Sequence, residues 1–194
     1  MEKRELRQFR VDFRAAAGKR TVSGYAAVFD QPSEDFGGWR EVIAPGAFDG
    51  VLASSDCRCL VNHDRNQVLG RTASKTLALS VDERGLKFEC SMPDTQYARD
   101  LAACMERGDI DQCSFAFSVA MGGSKWEEQD KTTIRTITKI SRLYDVSVVT
   151  YPAYPQTSAD IRSHAEILSE RPAPAELVGT GVDILRRRFA LLID

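Results

Sequence analysis

From residue 8 to about residue 150, apolar side chains recur mostly at every second position in short runs, and this alternation commits the chain to sheets. A period of two places one side of a strand on a core, whereas a helix would need apolar residues three and four apart. Phe9, Val11 and Phe13 alternate with Arg10, Asp12 and Arg14 as a half-buried strand. Thr21 to Phe29 forms the next, with Gly24 inside it as an expected bulge or close backbone contact. Gln31 to Trp39, which holds Pro32, Gly37 and Gly38, reads as a loop, Ile43 to Gly46 as a turn, and Ala47 to Leu52 as one or two helical turns. Cys57 to His63, Lys75 to Val81 and Leu86 to Ser91 are further strands, the last two joined by a turn at Asp82 to Gly85. Ile110 to Met121, Thr133 to Ile140 and Leu143 to Thr150 complete the set, with a charged, glycine-containing hairpin between Gly122 and Lys131.

One segment breaks the alternation with a helical period. Pro93-Asp94 supplies a start with Asp94 as N-cap, Tyr97, Leu101, Cys104 and Met105 share a face, and Arg107-Gly108 supplies the stop. After Tyr151 the β pattern ends, and Pro152, Pro155, Pro172 and Pro174 punctuate a polar stretch. The expected organisation is a domain over 1–160, a linker region over 161–181, and an amphipathic tail over 182–194. In that tail Val182, Leu185, Phe189 and Leu192 fall at helical spacing beside Arg186-Arg187-Arg188.

Bulk properties exclude several classes of function. A length of 194 residues holds one domain of roughly 150 residues plus appendages. A formal net charge of −2 offers no electrostatic footprint for nucleic acid. No run of about 18 apolar residues is present, so no membrane-spanning helix is expected. The first seven residues are charged and lack the apolar stretch of a secretory signal, which leads to the expectation of an intracellular protein. Five cysteines, an odd number without a CxxC pair, suit free thiols serving as small buried hydrophobes better than a disulfide framework or a zinc site. With no P-loop and no HExxH motif, the expectation is of no cofactor and no metal.

The candidate chemistry lies in Asn62-His63-Asp64, in the nearby Leu69-Gly70-Arg71-Thr72, and in Cys113-Ser114-Phe115-Ala116-Phe117. Strand parity puts Cys113, Phe115, Phe117 and Val119 on one side, and Ser114, Ala116 and Ser118 on the other. The second side holds only small residues, which leaves room around the hydroxyl for a substrate or an imidazole. A serine hydroxyl becomes a nucleophile when a base takes its proton, and histidine's pKa near ~6.5 suits that role. His63 ends an apolar strand, whereas His164 lies in the proline-punctuated region beyond the core. Asp145 is the candidate to orient the imidazole, because an acid inside so apolar a strand is costly to bury without a partner. The same parity puts Asp145 and Ser147 on one side, with Tyr144, Val146 and Val148 on the other. A structural pairing of Asp145 with Arg142 or Arg71 remains open, as does Asp64 as the orienting acid. Cys113 is an alternative nucleophile, though it faces away from Ser114. No GxSxG elbow surrounds any serine, which argues against an α/β-hydrolase, and the oxyanion donors are not identified.

These stretches, taken in order with Gly24 to Phe29, Glu41 to Phe48 and Asp145 to Ala153, resemble the prohead (procapsid) maturation proteases of tailed bacteriophages over about 130 residues. The resemblance implies an α+β, β-rich fold: an assemblin-like β-barrel core surrounded by helices, here with a C-terminal tail helix. It implies a serine endopeptidase whose catalytic His and Ser map onto His63 and Ser114. Many relatives carry Glu where this chain has Asp145, and Ser-Phe-Gly-Phe where it has Ser-Phe-Ala-Phe, so Asp145 must reach His63 with one methylene fewer. Related viral proteases use a second histidine as third member, and His164 lies outside the matching block. The implied partner and substrate is the major capsid protein or a scaffold protein, with no nucleic acid required and no membrane. Self-cleavage is also implied. The expected location is the host bacterial cytoplasm, inside the immature procapsid. Five thiols and a free tail are compatible with a homo-oligomer. A catalytically inactive scaffold or capsid-assembly protein of the same fold is the alternative.

Overall fold

The computed structural model describes residues 5–10, 20–33, 35–129 and 132–150. The linker, the tail, His164 and the expected strand residues Val11 and Phe13 lie outside the described residues. In chain order the elements are β1 (Glu5–Arg10), β2 (Thr21–Val28), β3 (Trp39–Ile43), α1 (Val51–Ser54), β4 (Arg58–Val61) and β5 (Asp64–Arg71). They continue with β6 (Leu77–Val81), β7 (Gly85–Ser91), α2 (Gln96–Glu106), β8 (Gln112–Val119), β9 (Ser124–Gln129), β10 (Thr132–Ile137) and β11 (Ile140–Val149).

These strands form a five-stranded sheet in the order β1-β8-β11-β4-β5 and two three-stranded sheets, β3-β10-β9 and β2-β7-β6. Two pairings are parallel, β4 with β11 and β3 with β10, so both of these sheets are mixed. The inward side of the five-stranded sheet supplies Cys59, Val61, Cys113, Phe115, Phe117, Leu143, Val146 and Val148 to a core shared with Val22, Leu86, Phe88 and Cys90. Phe115 and Phe117 stack at 4.8 Å between centroids, and each fully buried ring contributes roughly 1.5–3 kcal/mol relative to an exposed one.

The chain is therefore β-rich and α+β, but among the described residues its strands do not close into a barrel. Closure requires the last strand to pair with the first. Here the five-stranded ladder ends at β1 and β5, and each smaller sheet ends on its own edges. Register breaks within the β4–β5, β8–β11 and β2–β7 pairs interrupt the ladders further. The bulge expected at Gly24 falls instead between Tyr25 and Ala27, and Gly24 pairs regularly with Phe88. The helix begins one residue later than expected, with Thr95 as N-cap. Asp94 is instead engaged by the guanidinium groups of Arg20, at 2.7 Å, and Arg99, at 2.9 Å. Two strands go unread in the sequence: Trp39–Ile43 falls across a loop and a turn, and Asp64–Arg71 is too polar to show alternation. Ser124–Gln129 is an arm of the expected hairpin.

The Leu69-Gly70-Arg71-Thr72 stretch owes its composition to packing. Leu69 is a core residue, Arg71 clasps Asp56, and the Thr72 hydroxyl accepts the Cys57 N–H at 3.0 Å. A Cβ at Gly70 would lie 2.5 Å from Cys90 Sγ and 3.0 Å from the Thr76 carbonyl oxygen. Gly70→Ala is expected to destabilise the fold by about 1–3 kcal/mol, the usual range for overpacking. An unchanged urea midpoint for that variant would show that β5 and β7 do not approach so closely.

A buried ionic cluster joins the five-stranded sheet to the β3-β10-β9 sheet. Arg135 of β10 is fully buried and donates to Glu5 of β1 at 2.6 and 3.1 Å and to Glu41 of β3 at 3.0 Å. Arg7 of β1 donates to both acids as well, at 2.7 Å to Glu5 and 2.6 Å to Glu41. Each charge thus leaves water in the company of opposite charges and hydrogen-bond partners.

Candidate active site

Three strands of the five-stranded sheet meet at the outer side of its centre. Ser114 lies on β8 and faces Ser147 of β11 in the antiparallel register, while Asp145 of β11 faces Ala116. β4 runs parallel to β11 on the other side, with Val61 beside Val148. His63 is the second residue of the two-residue turn, Asn62-His63, that reverses β4 into β5.

That turn is built for placement. Asn62 and His63 both adopt positive φ, at 49° and 57°, a conformation that asparagine and histidine tolerate better than most residues. Its direction is fixed from β11: the Asn62 N–H donates to the Val148 carbonyl at 2.8 Å, and the Asn62 side chain exchanges hydrogen bonds with Thr150. Two consecutive left-handed residues turn the imidazole back over the sheet instead of carrying it on along the strand.

As a result His63 Nδ1 lies 2.5 Å from Asp145 Oδ1, and His63 Nε2 lies 2.8 Å from Ser114 Oγ. The Ser147 hydroxyl donates to the same Asp145 oxygen at 2.7 Å. An ionised carboxylate has only acceptor sites, so the proton of a neutral His63 sits on Nδ1. Nε2 is then left as the acceptor for the serine hydroxyl. The shorter aspartate reaches directly, and no longer acid is needed. Its reach follows from β11 lying between β4 and β8, one strand from each of its partners.

Of the other candidates, Asp64 is occupied locally, accepting the Asn66 N–H at 2.8 Å. Arg71 pairs with Asp56, and the Arg142 guanidinium lies over the Tyr144 ring at 4.9 Å. All five cysteines are free thiols, four of them buried. Cys113 sits in the core with Sγ 3.3 Å from the Tyr25 carbonyl, and burial pushes its thiol well above the ordinary range. Burial, followed by the Asp145 charge, pushes the Cys57 thiol up to about 12. Neither supplies a thiolate at neutral pH.

Two expectations about the surroundings need correction. Ser114, Ala116, Ser118 and Ser147 are fully buried, so the side of small residues is a filled layer and not an open trough. Tyr144 was expected to face away from Asp145, but the register slips between Leu143 and Asp145, making Tyr144 the extra residue of a bulge. Its hydroxyl lies 3.0 Å from Ser118 Oγ, on the Ser114 side. Tyr144 and Asp145 consequently line one cleft of about 390 Å³ together with Arg58, Leu60, Arg65 and Val68. Sequence reasoning missed Asn62 as a clamp, and Arg58 and Arg65 as cleft residues. Polar residues on an unrecognised strand and in a short turn carry no periodic signal.

Comparison with known proteins places this geometry in context. Over 146 residues the chain is 32% identical to the prohead protease of Enterobacteria phage HK97, a match covering 72% of this chain and 59% of that protein. The capsid assembly protease of bacteriophage T4 superposes with a TM-score of 0.45 at 11% identity, covering 77% of this chain and 98% of that one. No helix among the described residues is long and apolar enough to cross a membrane. The sequence profile of the caudovirus prohead serine proteases matches residues 7–170, and the chain belongs to that family.

Proposed function

We propose that the protein is a serine endopeptidase of phage capsid maturation, with Ser114 as nucleophile, His63 as general base and then general acid, and Asp145 as the residue that orients and stabilises the imidazole. The observation that carries this reading is the unbroken Asp145–His63–Ser114 relay at 2.5 and 2.8 Å. Ser114 Oγ attacks the scissile carbonyl carbon as its proton passes to His63 Nε2. Collapse of the tetrahedral intermediate returns that proton to the leaving amine and leaves an acyl-enzyme. Water, deprotonated by the same nitrogen, then releases the carboxylate product and regenerates the serine. Asp145 stays ionised throughout and offsets the charge of the imidazolium. Because Ser114 has no exposed surface in this conformation, acylation requires the layer over it to give way.

The substrate proposed from the family is the major capsid protein's scaffolding portion or a separate scaffold protein, followed by the protease itself, all inside the immature procapsid. A fluorophosphonate probe tests the chemistry without knowledge of the cleavage site. The full chain is expected to be labelled at Ser114, and the His63→Ala protein is expected to lose labelling. Labelling at another serine, or none under conditions where a control serine protease reacts, would rule the relay out as the catalytic machinery. The alternative, an inactive assembly protein of the same fold, predicts no labelling and no defined internal cuts over time by intact mass.

A further inference from the structure

We propose that the cleft beside Asp145 is a specificity subsite for an acidic substrate residue, glutamate or aspartate, placed next to the scissile bond, an inference that rests on the serine-protease reading above. Position carries the first part of the argument. Asp145 forms part of the cleft wall and also holds His63, whose other nitrogen reaches Ser114 Oγ, so the cleft adjoins the relay at its acid end. A side chain entering it belongs to a residue close to the attacked carbonyl.

Charge carries the second part. Arg58 and Arg65 both line the cleft, and the Arg142 guanidinium lies over the ring of Tyr144, another lining residue. The acids nearby are already engaged. Asp145 is bound by His63 and Ser147, and Asp56 is held by Arg71 at 2.5 Å while also lying 3.2 Å from Arg58. Asp56 thus serves two guanidinium groups, and Arg65 has no ion pair among the described residues. The cleft holds more positive charge than its own acids balance, on an apolar floor of Leu60 and the half-exposed Val68. Planar guanidinium groups match a carboxylate geometrically, and a partly dehydrated floor strengthens the pairing. A lysine or arginine side chain would meet like charge there. An aliphatic side chain would seat on Leu60 and Val68 but leave the arginines without an anion.

The test is to digest a proteome-derived peptide library with the full chain and map the cuts by mass spectrometry, using wild type, Arg65→Gln, Arg65→Glu, Arg58→Gln and the Arg58→Gln/Arg65→Gln double variant. Wild type is expected to enrich Glu or Asp at one fixed position within two residues of the cut by about tenfold, equivalent to ~1.4 kcal/mol of discrimination. Arg65→Gln is expected to cut that enrichment several-fold relative to the rest of the profile, and Arg65→Glu to shift it toward Lys. Cleavage without acidic enrichment, or enrichment that persists in the double variant, overturns the subsite while leaving the relay intact. A wild-type chain that cuts nothing and resists fluorophosphonate overturns the catalytic reading, and the subsite with it.

Discussion

Ser114→Ala is expected to lower kcat by about 10⁶-fold while leaving the fold in place, the scale seen when a nucleophile that acts as a unit with its base is removed. The substitution deletes one buried hydroxyl and no packing volume beyond it, so circular dichroism and thermal midpoint should hardly move. His63→Ala should cost about as much, and the double variant little more, because in the proposed mechanism the two groups perform one proton transfer. Asp145→Asn should fall by about 10⁴-fold, since an amide can present an N–H to Nδ1 and favour the wrong tautomer. The measurement is intact mass of the chain co-expressed with the proposed capsid or scaffold substrate, comparing wild type with each variant. Undiminished processing by the Ser114→Ala protein would remove Ser114 from the mechanism.

The second large effect concerns stability. Arg135→Met is expected to destabilise the fold by about 3–5 kcal/mol, because it leaves the buried Glu5 and Glu41 to share Arg7, two negative charges against one positive. At about 2–4 °C per kcal/mol for a domain of this size, the thermal midpoint should drop by roughly 10 °C. Replacing Glu5 with Gln in the same background should recover part of the loss, since Arg7 and Glu41 then balance one another. A single variant with wild-type stability would mean that the cluster is not closed to water. The cluster also sets an acid limit. Burial pushes the Glu5 carboxyl up, but the Arg7 charge and the Arg135 hydrogen bond outweigh it, and its pKa ends below the ordinary value. A depressed folded-state pKa contributes stability that is present above the unfolded value of ~4.3 and is lost as pH falls through the folded value. Arg135→Met should therefore flatten the acid limb of the stability profile below about pH 4.

Several elements were legible in advance for local reasons. The parity of β8 put Phe115 and Phe117 in the core and Ser114 on the opposite side, and the stacked pair of rings confirms that side as the interior. Strands β2, β6, β7 and β11 showed in their alternation, and α2 in its period. Parity failed at Tyr144, since a bulge shifts every side chain after it to the other side and leaves no mark in composition. β5 failed for a different reason. It is an edge strand whose residues from Asp64 to Gln67 stay at the surface, so no hydrophobic pattern is imposed on them. The ionic cluster was invisible because Glu5, Arg7, Glu41 and Arg135 look like ordinary solvated charges until two sheets close over them.

What the sequence determined by itself was the period of two, the break to a helix at Gln96–Glu106, and the presence of an imidazole, an alcohol and a buried acid in β-patterned surroundings. Those properties are written over a few residues, where side-chain direction follows from backbone geometry alone. The relay is of another kind. His63 meets Ser114 across 51 residues and Asp145 across 82. Their meeting depends on the parallel pairing of β4 with β11, on the Asn62–Thr150 clamp, and on a turn that spends two residues at positive φ. Long-range strand pairing is chosen by the packing of the whole core, which no local stretch encodes, so only the tertiary structure could bring the three side chains to one place.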